Sequence, residues 1–205
     1  MITKRWPGET IVCIGSGPSL TPADVDAVRG RARVIVINDA VHAAQWADVL
    51  YSSDQLWWSR AKGAPAFHGL KCGIAPRKQH VGRLFPKFDD IHVLRNTGPL
   101  GIETDPSGLR HGKHSGYAAL NLALHLGAAR ILLLGYNMGP VDRRVHFNGA
   151  PGVGSNYARF ARSYDSAVGP LKALGVTVIN CTPRSHLKCF PMADVRDALM
   201  SAVAA

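Results

Sequence analysis

The chain has 205 residues, 46% of them hydrophobic and 19% charged, a globular composition with enough apolar residues for one well-formed core. Its 24 Lys and Arg against 14 Asp and Glu give a net charge of +10, which favours anionic partners such as nucleotides, nucleic acid or anionic surfaces and disfavours cations. No run approaches the roughly 20 apolar residues of a membrane span, nothing apolar follows Lys4 and Arg5 as in a leader, and the four cysteines are scattered, so a soluble, reduced, cytoplasmic single domain over residues 1–205 is expected, of undefined oligomeric state.

The first predicted element is the short apolar run Ile11 to Ile14, a strand covered on both faces. Gly15, Ser16, Gly17, Pro18 and Ser19 follow at once. Glycines there permit positive φ and close approach of a ligand, while serine hydroxyls and backbone N–H groups can bond phosphate oxygens. Thr21 as N-cap, Pro22 at the first position and Asp24 in the first turn predict a helix from Pro22 to Arg29, with its positive end near this turn. The stretch GSGPSL matches neither GxGxxG nor a loop ending in GK[ST], and a tight turn without a ligand is the alternative.

Arg33 to Asn38 reads as a second buried strand, and Asn38 at its carboxyl end stands where a base or ribose is read in doubly wound sheets. A plain Asn-Asp turn is the competing reading. Ala47 to Tyr51 is a third strand, followed by Ser52, Ser53 and Asp54. Asp54 either faces a ligand or caps the helix Gln55 to Lys62, in which Trp57 and Trp58 are packing residues. Leu70 to Ala75 and Ile91 to Leu94 are further strands. Arg77, Lys78, His80, Arg83, Lys87 and Arg95 make the region around them the most basic of the chain, either an acceptor-binding lid or a solvated face. Thr97 to Lys113 is predicted as a long loop.

A helix then runs from Ser115 to Leu126, closed by Gly127, with Ser115 and Gly116 at a second anion-friendly helix start. The buried strand Arg130 to Leu134 ends in Gly135-Tyr136-Asn137. The Gly-rich loop Val141 to Ser155 holds Arg143, Arg144 and His146, and is followed by a helix Tyr157 to Leu174, a strand Val176 to Asn180 and a helix Ala193 to Val203. A histidine in such a loop has the proton affinity of a general base, or is simply solvated. His111-x-x-His114 lacks a third ligand at metal-site spacing, and no metal is expected. Alternating strands and helices predict an α/β, Rossmann-like fold with a mostly parallel central sheet and helices on both faces.

Taken together, GSGPSL, IND, SSD, HSGYAALNLALHLGAARILLLGYN, His146 and NCTPRSHLKCF resemble the Rossmann-like domain of family-42 sialyltransferases and of MptE-like proteins related to 6-hydroxymethylpterin pyrophosphokinase, an arrangement also similar to small bacteriophage and prophage proteins. The resemblance implies a glycosyltransferase-like enzyme with a cytidine or uridine nucleotide-sugar donor. It places Gly15, Ser16, Gly17, Pro18, Ser19, Asn38, Ser115 and Gly116 around the nucleotide and His146 as the base on the acceptor hydroxyl; Asp54 and Asn137, each just beyond a predicted strand, are further candidates for the nucleotide site. Where those sialyltransferases carry an acidic residue and a tyrosine, this chain reads Tyr136-Asn137-Met138. Arg143, Arg144 or Lys113 is then left to balance the leaving phosphate.

The residues leave other classes open. A non-catalytic nucleotide- or DNA-associated protein needs the turn but no base, and a DNA-modifying transferase combines both behaviours, with DNA as an anionic acceptor. A pyrophosphokinase needs acidic magnesium ligands, for which only Asp39, Asp54, Asp105 and Asp142 are near the predicted strand ends.

Overall fold

The computed structural model describes residues 1–76, 88–148 and 157–201. Arg77, Lys78, His80, Arg83 and Lys87 of the basic stretch lie outside the described residues, as do the end of the Gly-rich loop and the last residues of the predicted C-terminal helix.

Eight strands form one sheet: β1 Thr10–Ile14, β2 Arg33–Ile37, β3 Val49–Ser52, β4 Leu70–Ile74, β5 Ile91–Gly98, β6 Gly108–Arg110, β7 Arg130–Leu134 and β8 Thr177–Asn180. Their order is β6-β5-β4-β3-β2-β1-β7-β8, and every pairing is parallel. The chain builds outward from β1 to β6, then crosses back to place β7 on the other side of β1. The direction of winding therefore reverses between β1 and β7, and all carboxyl ends share one edge of the sheet. Ligands of open α/β sheets bind at such a reversal.

Alternation along the strands feeds two apolar layers, as a doubly covered sheet requires. Ile11, Cys13, Ile35, Ile131 and Leu133 face α3 (Ser115–Leu126) and α4 (Tyr157–Ala173). Val12, Ile14, Val34, Val36, Leu132 and Leu134 face α1 (Pro22–Val28), α2 (Gln55–Arg60) and α5 (Val195–Met200). The α/β Rossmann-like expectation, with helices on both faces, holds.

Local chemistry sets the helix starts. Thr21 and Asp24 form a reciprocal capping box before Pro22, and Asp54 caps α2 by accepting from Leu56 N–H at 2.9 Å. Trp57 and Trp58 are buried beneath α2, packed edge to face, as packing residues should be.

Two elements differ from expectation. β2 runs into a 3-10 turn, Asn38–His42, and the predicted loop Thr97 to Lys113 contains β6, with β5 extended to Gly98 across an irregular register. Three residues rich in neither β-branched nor alternating pattern carry little strand signal. Tertiary bonds supply it: buried Asn121 on α3 accepts from Arg110 N–H at 3.1 Å and from Glu103 N–H at 2.9 Å, while Leu109 is fully buried.

Candidate functional site

The carboxyl ends of β1, β2 and β7 and the start of α3 enclose a cavity of about 240 Å³. Gly15, Ser16, Gly17, Pro18, Asn38, Ser115, Gly116, Asn137 and His146 all line it, brought together from five separate stretches of chain. Tyr136, Met138, Tyr157 and Phe160 complete the wall. Tyr157 and Phe160 carried no signal in sequence, because their role depends on where α4 packs, whereas Tyr136 and Met138 flank Asn137 at an already noted strand end.

The glycines of the first turn act differently from expectation. Neither Gly15 nor Gly17 is among the positive-φ residues; the left-handed positions around the cavity are Asn38 at 51°, Gly135 at 68° and Met138 at 51°. Glycine is required at 17 for space: a Cβ there would lie 2.3 Å from Asn137 Oδ1 and 2.4 Å from the Gly135 carbonyl oxygen. The turns after β1 and β7 are thus packed backbone to backbone, with Gly17 N–H donating to the Gly135 carbonyl at 2.9 Å.

Ser19 does not reach the cavity. Its N–H and hydroxyl both donate to Asn137 Oδ1, at 3.2 and 2.9 Å, while Asn137 Nδ2 donates to the Pro183 carbonyl at 3.1 Å. The Asn137 amide therefore joins three loops, its oxygen accepting from Ser19 twice and one of its two N–H groups donating to Pro183, so that it braces the cavity it lines. Asn38 is the opposite case. Its Oδ1 is buried without a hydrogen-bond partner, at a position whose left-handed backbone turns the chain at the end of β2.

His146 lies in a loop fastened at both sides. Phe147 N–H donates to the Ser16 carbonyl at 3.1 Å, and a tight turn pairs Val141 with Arg144 through two 2.9 Å backbone bonds. Asp142 in that turn holds Arg184 through two bonds of 2.8 and 2.9 Å, and the guanidinium keeps the exposed carboxyl below its ordinary range. Arg143 and Arg144 are exposed on the turn and do not line the cavity.

A second cavity of about 580 Å³ opens at the ends of β3, β4 and β5. Ser53, Asp54, Gln55, Asn96, His111 and Lys113 give it a polar lining, and its wall is shared with the first cavity at His114 and Ser115. Ser115 Oγ accepts from Ser53 N–H at 3.0 Å, tying α3 to the end of β3. Asp54 caps α2, as one of its two sequence readings had it, and also lines this second cavity. A third cavity of similar volume, beside α2, is lined by Asp39, His42, Trp57, Arg60 and Phe67. Asp39 there accepts from the Trp57 indole N–H at 2.7 Å.

His114, read from sequence only as half of a weak metal pair, is the N-cap residue of α3 and makes no side-chain capping bond. Its ring packs against Phe160 and Tyr164, with centroids 5.0 and 5.3 Å away, and burial pushes its pKa down to about 3. Among the described residues no three His, Cys, Asp or Glu side chains gather as metal ligands.

The fold resembles that of a sialyltransferase. The solved structure of the sialyltransferase CstII from Campylobacter jejuni, in complex with a substrate analogue, cytidine-5'-monophosphate, matches with a TM-score of 0.50. Sequence identity is 13%, and the match covers 93% of this chain and 87% of that chain. At this identity the likeness concerns the fold. No protein-family model matches the chain, and no curated protein matches it. No helix among the described residues is long and apolar enough to cross a membrane.

Proposed function

We propose that the chain is a glycosyltransferase-like enzyme that binds a nucleotide-sugar at the reversal point of its sheet. The observation that carries this reading is the convergence of the first turn, Asn38, the start of α3 and His146 on one cavity at the strand ends. Its volume sits slightly below the roughly 300–1,000 Å³ of ordinary ligand pockets, and the adjoining second cavity supplies the extra length a two-part donor needs. The nucleotide occupies the smaller cavity and the transferred group the larger. The cytidine nucleotide held by the structural neighbour supports a cytidine donor, with uridine the closest variant.

In this mechanism the positive end of α3 holds the phosphate, because the Gly15, Gly17 and Ser19 N–H groups of the first turn are already bonded to Leu134, Gly135 and Asn137. His146 takes the proton of the acceptor hydroxyl as the acceptor oxygen attacks the anomeric carbon and the bond to phosphate breaks. Arg143 and Arg144 stand exposed outside the cavity, Arg144 close enough to Asp142 for its charge to help lower that carboxyl, which suits attraction of an anionic acceptor better than stabilisation of the leaving group. No step calls for a metal ion.

The test is calorimetric titration of cytidine and uridine monophosphates and their sugar conjugates, with and without magnesium, followed by assay of nucleotide release. Binding of a pyrimidine nucleotide, with release of it from a sugar conjugate falling about 100-fold or more in His146→Ala, is the expected result. Full turnover in that variant removes the base; no binding of any nucleotide removes the reading.

A further inference from the structure

We infer that His114 contacts the ligand, its imidazole donating a hydrogen bond from Nε2 to the departing phosphate at the partition between the two cavities. This rests on the nucleotide reading of the smaller cavity.

Position is the first argument. The two cavities meet at His114 and Ser115, so a donor spanning both must have the bond between its nucleotide and its transferred group beside these residues. Ser115 Oγ is already bonded to Ser53 N–H. His114 Nε2, by contrast, is buried without a partner, as is the neighbouring Tyr164 hydroxyl. A polar atom left in that state costs about 1–3 kcal/mol, and a bond made only when a ligand is bound is one way a fold recovers it.

Rigidity is the second. Phe160 and Tyr164 hold the ring from α4, and it lies close enough to Gly116 that a Cβ there would be 3.2 Å from His114 Cε1. Packing of this kind restricts the ring, so that a small rotation toward the partition, which frees the closed-off Nε2, is the only reorganisation needed when charge develops on the leaving oxygen. Other donors are fewer than they look. The Tyr136 hydroxyl donates to the Gly116 carbonyl at 3.1 Å, one Asn137 N–H is bonded to Pro183, and Arg143 and Arg144 are outside the cavity. This leaves Lys113, exposed on the wall of the larger cavity, and the Tyr164 hydroxyl, buried behind the ring, as the partners His114 works beside.

The depressed basicity of the ring fits this role: a neutral imidazole donates a hydrogen bond without giving up its proton. In the transfer step the glycosyl–oxygen bond breaks with its electron pair going to the phosphate. The acceptor oxygen forms the new bond to the anomeric carbon, and its proton goes to His146. His114 transfers nothing.

The experiment follows cytidine 5'-monophosphate and uridine 5'-monophosphate binding to the whole chain by calorimetry and by long-range proton–nitrogen spectra of the imidazoles. In the wild type, the His114 Nε2 resonance shifts on addition of the nucleotide that binds. His114→Ala weakens that binding about tenfold, and His114→Gln, whose amide nitrogen can replace the donor, stays within a few-fold of wild type. Circular dichroism and melting curves show whether each variant is folded, and if neither folds the wild-type resonance decides alone. Nucleotide binding with an unmoved His114 resonance, or unchanged binding in folded His114→Ala, overturns the inference while leaving the nucleotide site intact. Absence of binding by wild-type protein overturns the nucleotide reading itself, and this inference with it.

Discussion

Ser19 Oγ donates to Asn137 Oδ1 at 2.9 Å, joining the turn after β1 to the turn after β7 across 118 positions of sequence. Asn137 accepts from Ser19 N–H as well and donates to Pro183, so one buried amide serves as the strut of the candidate site. Asn137→Ala leaves those partners unpaired and is expected to cost about 2–3 kcal/mol of stability. Ser19→Ala removes one bond and should cost about 0.5–1.5 kcal/mol. Urea unfolding with an unchanged slope measures both; an Asn137→Ala protein within 0.5 kcal/mol of wild type would show the strut to be dispensable.

Gly17 makes the matching steric prediction. Gly17→Ala drives a methyl against Asn137 and the Gly135 carbonyl, groups that cannot move aside, and should destabilise by about 3 kcal/mol or more. Gly169, inside α4 with nothing within 4 Å of a Cβ, is the control. Gly169→Ala should stay within about 1 kcal/mol of wild type, helix propensity favouring it and the crowding of its Cβ by Pro170 opposing it. Equal effects at the two positions would remove the packing argument for the turn.

Acid stability follows from the buried histidines. Burial lowers the pKa of His114, to about 3, and also lowers those of His92 and His125. The unfolded chain then binds more protons than the folded one below about pH 6.5, so stability is complete above that pH and falls as pH drops toward 3. At one pKa unit per 1.36 kcal/mol, His114 alone removes about 2 kcal/mol by pH 5. Unfolding free energies of wild type and His114→Gln at pH 7 and pH 5 should therefore converge at the lower pH. Parallel acid dependence in the two would assign the effect to other groups.

Lys71 and Asp90 test the amino edge of the sheet, at the starts of β4 and β5 and opposite the cavities. The Lys71 side chain is 5% exposed and donates to the exposed Asp90 at 2.6 Å, which keeps that carboxyl below its ordinary range. Asp90→Asn leaves a buried ammonium without its counter-charge and should cost about 1–3 kcal/mol, while Lys71→Met, which removes the charge with the pairing, should be close to neutral. Reversed costs would show that the carboxylate, not the buried cation, needs the pair. The carboxylate's share of this stability is present above the usual Asp pKa and is lost as pH falls below it.

The elements that were legible in sequence are those whose signals are local. Thr21, Pro22 and Asp24 mark α1, Gly127 closes α3 in a left-handed conformation, and Ile11–Ile14 and Arg130–Leu134 are apolar enough to require cover on both faces. The short strand Gly108–Arg110 escaped because Asn121 on a distant helix, rather than its own residue pattern, holds it in place. Asn38 and His146 were readable as candidates because each follows a predicted strand end, and the fold brings both to one cavity. His114 was not, since nothing in its neighbours along the chain announces a ring buried between Phe160 and Tyr164.

By itself, then, the sequence determined the class of architecture and the residues that end its strands, because capping, glycine closure and apolar runs act over a few positions. Tertiary structure alone decided that β7 lies beside β1, and from that placement came the need for glycine at 17, the commitment of Asn137 to the scaffold and the partition of the site at His114. Those features depend on atoms that approach one another from more than a hundred residues apart, where exclusion of volume and pairing of buried polar groups, not local propensity, set the outcome.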